Sequence, residues 1–174
     1  MIEIREAVLD DLPDMLAIYN ESVLNSVATF DLQEQTLKQR RVWFDNHGGR
    51  FPLIVATVQG EVAGYCSLSP FRAKPAYAHS AELSVYLAAG FRGQGIGSAL
   101  TAEILRRAEA LRFHTVISCV VSGNEPSRKL HEKFGFEYIG CFREVGRKFE
   151  NWWDVHFYQY FTGVGHEAGA HRQT

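Results

Sequence analysis

The residues from Ser84 to Ser98 constrain this chain more than any other stretch. A short apolar run, Val85-Tyr86-Leu87, leads into Arg92-Gly93-Gln94-Gly95-Ile96-Gly97-Ser98, where a helical pattern opens at once. Glycines at this spacing let the backbone turn tightly and leave no Cβ in the way of a ligand. The N–H groups of a helix's first turn lack helical partners, and together with the helix dipole they form a seat for an anion. Arg92 adds a full positive charge beside that seat. The loop reads as a cradle for a diphosphate. The alternative is a glycine-rich turn with no ligand, which explains less well why three glycines open an amphipathic helix.

Spacing narrows the choice of diphosphate. A dinucleotide-binding turn carries Gly-x-Gly-x-x-Gly near the start of a βαβ unit. Here Ser98 stands where the third glycine belongs, and the loop lies in mid-chain. A nucleoside-triphosphate loop ends in Gly-Lys-Ser/Thr, and this chain has no such sequence. Arg-Gly-x-Gly-Ile-Gly after an apolar strand instead resembles the acetyl-CoA loop of the GCN5-related N-acetyltransferases, the GNAT family. The resemblance implies acetyl-CoA as co-substrate.

A length of 174 residues suits one domain with a substantial core. The net charge of −2 argues against nucleic acid as the main partner, because a phosphate backbone calls for a strongly basic face. Cys66, Cys119 and Cys141 are odd in number, widely spaced and set in apolar runs. They read as buried reduced thiols rather than disulfides or metal ligands, so no metal is expected. The first residues lack an apolar core of signal-peptide type, and no run is long enough to span a bilayer. The expected location is the cytoplasm.

Taken in order, Ile2–Arg5 alternates as a strand. Asp10-Asp11-Leu12-Pro13 opens a helix to about Leu24, and Thr36 caps a second one that Gly48-Gly49 stops. Leu53–Val58 and Val62–Ser69 flank a hairpin turn, and Ala81–Leu87 forms the strand before the glycine loop. Ile96, Leu100, Ile104, Ala108 and Leu111 mark the core face of the next helix. Thr115–Val121 is a strand, a short helix follows Asn124, and Glu137–Phe142 and Trp153–Phe161 are the last strands. Tyr138, Trp152 and Trp153 read as core or as a subunit contact. The expected domain is 1–162, and 163–174 reads as a flexible tail.

This order is that of the GNAT fold, a twisted, mostly antiparallel mixed α/β sheet flanked by helices. Ile18-Tyr19-Asn20, Phe71-Arg72-Ala73-Lys74 with Ala76-Tyr77, Glu82-Leu83-Ser84-Val85-Tyr86, and Asn124-Glu125-Pro126-Ser127 are similar to the phosphinothricin and methionine sulfoximine N-acetyltransferases of that family. The resemblance spans about residues 2–161. It implies a homodimer, with a small amino-acid-like amine as acceptor.

Acetyl transfer to an amine needs a neutral nucleophile, donors for the developing oxyanion and a proton for the leaving thiolate. Glu82, an acid within an apolar strand, is a candidate base if partly buried. It can equally be a solvent-facing residue or the ion-pair partner of Arg72 or Lys74, and the resemblance favours the base. In such enzymes the pantetheine arm lies against the strand before the loop, so the backbone of Val85, Tyr86 and Leu87 would bind it and offer an oxyanion donor. The resemblance also assigns the acceptor's surroundings to Arg72, Ala73, Lys74, Leu83 and Ser84. Arg72 suits a carboxylate with its bidentate fork, and Lys74 adds charge without that geometry. Phe30 and Tyr77 either wall the pocket or simply pack.

Asn124 is a helix cap by position and a contact to the pantetheine amides by resemblance, with Ser127 beside it. His131, whose ordinary pKa lies near neutrality, competes with Tyr86 as proton donor to the thiolate. The reading is an acetyl-CoA-dependent N-acetyltransferase. The alternatives are acetylation of a polyamine or a protein N-terminus, or a silent acyl-CoA-binding module. Arg72 and Lys74 disfavour a cationic acceptor.

Overall fold

Among residues 1–165, which the computed structural model describes, strands and helices follow one another in the expected order. They are β1 (Ile2–Glu6), α1 (Leu12–Asn25), α2 (Leu37–Asp45), β2 (Leu53–Val58), β3 (Glu61–Pro70) and β4 (Ser80–Leu87), followed by α3 (Ile96–Ala110), β5 (Thr115–Val121), α4 (Glu125–Lys133), β6 (Glu137–Lys148) and β7 (Asn151–Phe161). The strands form one twisted mixed sheet in the order β1-β2-β3-β4-β5-β7-β6. Every neighbouring pair is antiparallel except β4 with β5.

That exception positions the site. β4 and β5 pair only from Ser80↔Thr115 to Glu82↔Ile117, although β4 runs on to Leu87 and β5 to Val121. The strands part at Glu82, so the edge of Leu83–Leu87 that faces β5 has no strand partner. The opposite edge of β4 stays on β3 as far as Gly64↔Leu87. A backbone edge is thus held rigid on one side and open on the other.

Helices cover both faces. The predicted stripe of α3 is buried: Ile96, Leu100, Ile104 and Ala108 pack on Ile54, Cys66, Leu68, Ala81, Leu83 and Val116. On the other face Met15 and Ile18 of α1 meet Leu53, Val55, Val62 and Tyr65. The short helix α2 begins in a capping box, Thr36 with Gln39, yet it buries a cation. The Arg40 guanidinium lies 3.5 Å from the Trp43 ring centroid and 4.2 Å from that of Tyr19. It donates to the Tyr65 hydroxyl at 2.7 Å. Aromatic faces take the place of a carboxylate there, which keeps a desolvated charge tolerable.

The last hairpin differs from expectation. β6 extends to Lys148 and β7 starts at Asn151, because bulges at Ile139 and at Arg143–Val145 let the pairing continue past Phe142. The turn is Phe149-Glu150, with φ of +50° and +63°. Both residues are left-handed without glycine or asparagine, so the usual hairpin signal is absent. Tyr138 and Trp152 are exposed, which removes the core reading for them, and Trp153 is half-buried. Of the cysteines expected to be buried only Cys66 is; Cys119 is exposed and Cys141 half-buried. Beyond β7, His114 Nδ1–H donates to the Val164 carbonyl at 2.7 Å. The rest of the expected tail, 166–174, lies outside the described residues.

Candidate active site

A cleft of about 280 Å³ opens where β4 and β5 part, reaching through the sheet from one helical layer to the other. Strand alternation brings Glu82, Ser84 and Tyr86 to the α1 side, and Cys119 joins them from β5. Ala28, Thr29 and Phe30, from the loop after α1, roof that side. Asn124, which caps α4, and Ser127 and His131 within it close the other, with Val155 of β7.

Glu82 is the last β4 residue paired to β5, so its carboxyl stands at the apex of the fork. Burial raises its pKa and the Arg72 cation pulls it part of the way back, with a net rise. The result is a carboxylate that binds a proton more readily than one in water. Although the Cys119 residue as a whole is exposed, it lines the cleft, and desolvation there with the charge of Glu82 raises its thiol pKa, so the thiol stays protonated.

Tyr86 lies against Tyr65, with ring centroids 5.4 Å apart, and meets Tyr19 edge-on at 5.3 Å. Burial raises its pKa, so the phenol keeps its proton. His131 comes from the other side of the cleft, packed edge-on to Phe136 and stacked on Tyr158. Its Nδ1–H donates to the Ser127 carbonyl at 2.7 Å, which fixes the tautomer. Nε2 is therefore the lone-pair nitrogen, and it is buried without a hydrogen-bond partner. Burial lowers the pKa despite the Ser127 bond. His131 in this state accepts a proton or a hydrogen bond; it has no proton on Nε2 to give. The expected donor role does not fit this geometry.

The glycine loop takes the expected form, with different parts carrying it. Gly93 and Gly95 have φ of +75° and +84°, where other residues are strained, whereas Gly97 is helical and buried. Gly95 caps α3 without a side-chain bond. The first helical hydrogen bond runs from Ala99 N–H to Gly95 O at 3.0 Å, so the N–H groups of Ile96, Gly97 and Ser98 lie ahead of it as anion donors. The Arg92 charge is directed elsewhere: it pairs with Glu21 of α1 at 2.7 Å. Gln94 is occupied with the Gly90 carbonyl at 2.9 Å. Lys133 of α4, which sequence reasoning missed, donates to Ser98 Oγ at 3.0 Å and brings a cation to the α3 N-terminus.

On the acceptor side the expected residues separate. Phe30, Leu83 and Ser84 line the cleft, whereas Ala73, Lys74 and Tyr77 are exposed outside its lining. Tyr77 packs edge-on against Phe71, 5.7 Å between centroids, and the Arg72 guanidinium sits 5.0 Å from that same ring. Only Arg72 of this group acts on Glu82. Asn124 caps α4, its Oδ1 accepting from Ser127 N–H at 3.3 Å, and it borders the cleft.

Two further residues hold the roof. A Cβ on Gly146 would fall 2.1 Å from the Phe30 ring, so only glycine admits that ring at its present depth. The Lys148 ammonium, buried, donates to the Thr29 carbonyl at 2.8 Å. The alternation of β5 could have indicated Cys119, which shares its face with Ile117 opposite Glu82. No local signal points to Gly146 or Lys148, because their role depends on long-range packing, Lys148 and Thr29 being 119 positions apart in the chain.

Comparison with known proteins agrees with this architecture. Residues 4–157 match the family model described as acetyltransferase (GNAT) domain. The chain is 41% identical over 162 residues to a phosphinothricin N-acetyltransferase of Streptomyces coelicolor, covering 91% of this chain and 95% of that one. It is 38% identical over 158 residues to the L-methionine sulfoximine/L-methionine sulfone acetyltransferase of Pseudomonas aeruginosa, covering 90% and 92%. The crystal structure of a GNAT superfamily phosphinothricin acetyltransferase from Sinorhizobium meliloti, in complex with acetyl-CoA, superposes with a TM-score of 0.92. It is 35% identical, and the match covers 99% of this chain and 95% of that one.

The His131 geometry can be checked by nitrogen-15 NMR of the imidazole. The expected spectrum at neutral pH is a neutral ring protonated on Nδ1, titrating below the ordinary histidine value. An imidazolium at neutral pH, or a ring protonated on Nε2 alone, contradicts the arrangement.

Proposed function

The chain belongs to the GNAT acetyltransferase family, and we propose that its acceptor is the amine of a small amino-acid-like substrate of the phosphinothricin, methionine sulfoximine or methionine sulfone type. The observation that carries this reading is Glu82 at the apex of the β4/β5 fork, with a raised pKa and an arginine as its neighbouring charge. The names of the two relatives support the acceptor class. In this reading the pantetheine arm lies along the open edge of Val85, Tyr86 and Leu87, and the diphosphate sits on the N–H groups of Ile96, Gly97 and Ser98. Arg72 receives the acceptor's carboxylate.

The chemistry then proceeds by direct transfer. Glu82 takes a proton from the acceptor's ammonium, directly or through water, and frees the nitrogen lone pair. That pair forms the C–N bond while the carbonyl electrons move to oxygen, where a free N–H of β4 stabilises the charge. Collapse breaks the C–S bond, and the departing thiolate takes up the second proton that nitrogen loses. Of the two side chains considered as donors to sulfur, Tyr86 keeps a proton to share and His131 does not. Acetyl-CoA itself supplies the activated thioester, and no metal enters the step.

The same reading extends to assembly and location. Ile139, Phe142, Val145, Phe149 and Trp152 are all exposed on the β6/β7 hairpin, and exposed apolar side chains gathered on one element suit a protein–protein contact. A second copy of the chain covering it accounts for that surface, and light scattering should read twice the single-chain mass; a monomer at micromolar concentration contradicts it. Among the described residues no helix is long and apolar enough to cross a membrane, and three free thiols suit the cytoplasm.

Release of CoA thiol, followed across an acceptor panel, tests the activity. Turnover is expected with the sulfoximine-type acids and not with spermidine or a peptide N-terminus. Glu82→Gln should lower kcat by about 100- to 10,000-fold. Arg72→Ala should raise the acceptor KM by about tenfold or more. The acid limb of kcat/KM should lie above the ordinary glutamate range, since the base must be ionised and its pKa is raised. Activity on spermidine or a peptide that ignores Arg72, or acetyl-CoA binding with no turnover, contradicts the proposal.

A further inference from the structure

Behind the cleft, the β6/β7 hairpin gathers a second set of reactive side chains. The Cys141 sulfur, a carboxylate oxygen of Asp154 and a ring nitrogen of His156 all lie within 4.8 Å of one another. Cys141 stands directly opposite His156 in the antiparallel register, and Asp154 precedes His156 by two residues on the same face of β7. Val155, between them, points the other way and lines the cleft. All three are half-buried. Asp154 and His156 share β7, and the strand pairing brings Cys141 of β6 to them.

Neighbouring groups hold two of the three in place. Glu144 sits in the bulge with φ of +50°, and its N–H donates to Asp154 Oδ1 at 2.8 Å. That bond leaves the other carboxylate oxygen free. The Tyr138 hydroxyl lies 3.4 Å from His156 Nδ1; when Nδ1–H donates to it, Nε2 carries the lone pair. Cys141 is a free thiol. Hydrogen bonds that orient ligands from outside are the ordinary support of a metal centre.

We propose that Cys141, Asp154 and His156 bind zinc and tie the bulge of β6 to β7. A thiolate, an imidazole and a carboxylate form a borderline-soft donor set, suited to zinc rather than to magnesium or calcium. Bond lengths of about 2.0–2.3 Å at a tetrahedral angle place ligand atoms about 3.3–3.8 Å apart. Side-chain rotation by roughly an ångström closes the cluster to that size, with water as fourth ligand. On binding, the Cys141 thiol loses its proton to solvent, the sulfur–zinc bond forms, and nothing is oxidised or reduced. The hairpin so fastened carries Gly146 and Lys148, which hold Phe30 and Thr29 over the cleft. The metal would stiffen the roof without touching acetyl-CoA.

Cobalt(II) added to the reduced, chelator-treated full-length protein reads the site directly. One equivalent should give visible bands of a tetrahedral ion together with near-ultraviolet thiolate-to-cobalt absorption, both displaced by zinc. Cys141→Ser should remove the thiolate absorption, and His156→Gln should weaken zinc binding about tenfold or more, while Cys119→Ser keeps the full spectrum. Zinc should raise the melting temperature of the parent protein and leave that of Cys141→Ser unchanged. Absence of thiolate absorption, or the same absorption in Cys141→Ser, overturns the proposal. So does zinc binding in both variants as strong as in the parent protein, which would place the metal elsewhere in the chain.

Discussion

The parting of β4 from β5 is the constraint on which the rest of this molecule depends. A parallel pair that stays zipped would bury every backbone group in the ladder and leave no room between the layers. Here the ladder stops after Glu82↔Ile117, and the remaining length of β4 is held from its other edge by β3. An open edge beside a rigid one offers hydrogen bonds to an extended ligand as a further strand would take them. The glycine loop that follows β4 then turns the chain into the N-terminus of α3, with Gly95 left-handed at the cap; in the proposed binding mode this is where the far end of such a ligand would sit. Edge and helix start are separated by a few residues, so one extended molecule can use both.

Charge within this frame is set by burial. Glu82 binds its proton more tightly because the cleft desolvates it, and Arg72 limits the rise. The same desolvation keeps His131 neutral and Tyr86 and Cys119 protonated. Among the cleft residues with shifted acidity, Glu82 alone combines a readily reversed proton with a place at the fork. Away from the cleft, the buried Arg40 pins α2 through the face of Tyr19 and the hydroxyl of Tyr65. Tyr19 also donates to Asp31 at 2.7 Å. Through these contacts the roof loop is fastened at one end to the aromatic cluster and at the other to Lys148 and Gly146.

Much of this was legible in the sequence where function depends on local pattern. The element order, the stripe of α3, the cap at Thr36 and the glycines before α3 all follow from short-range periodicity and turn chemistry. Glu82 could be singled out because a lone acid in an apolar strand is unusual. The roles of cations were harder to read, since a long side chain chooses among partners that only the fold supplies. Arg92 looked like a phosphate ligand and pairs with Glu21, whereas Lys133 looked ordinary and reaches Ser98. The Phe149-Glu150 turn left no signal because its left-handed residues are held by the hairpin rather than by their own preference. Cys141, Asp154 and His156 meet through a register that bulges disturb, which spacing alone does not reveal.

The most direct test of the central claim is amide hydrogen exchange with and without acetyl-CoA. If the fork and the α3 N-terminus hold the thioester, protection should rise at Val85–Leu87 and at Ile96–Ser98. Ile117, already paired to Glu82, should change little. Protection confined to other surfaces, with the β4 edge and the first turn of α3 exchanging as before, would contradict the account.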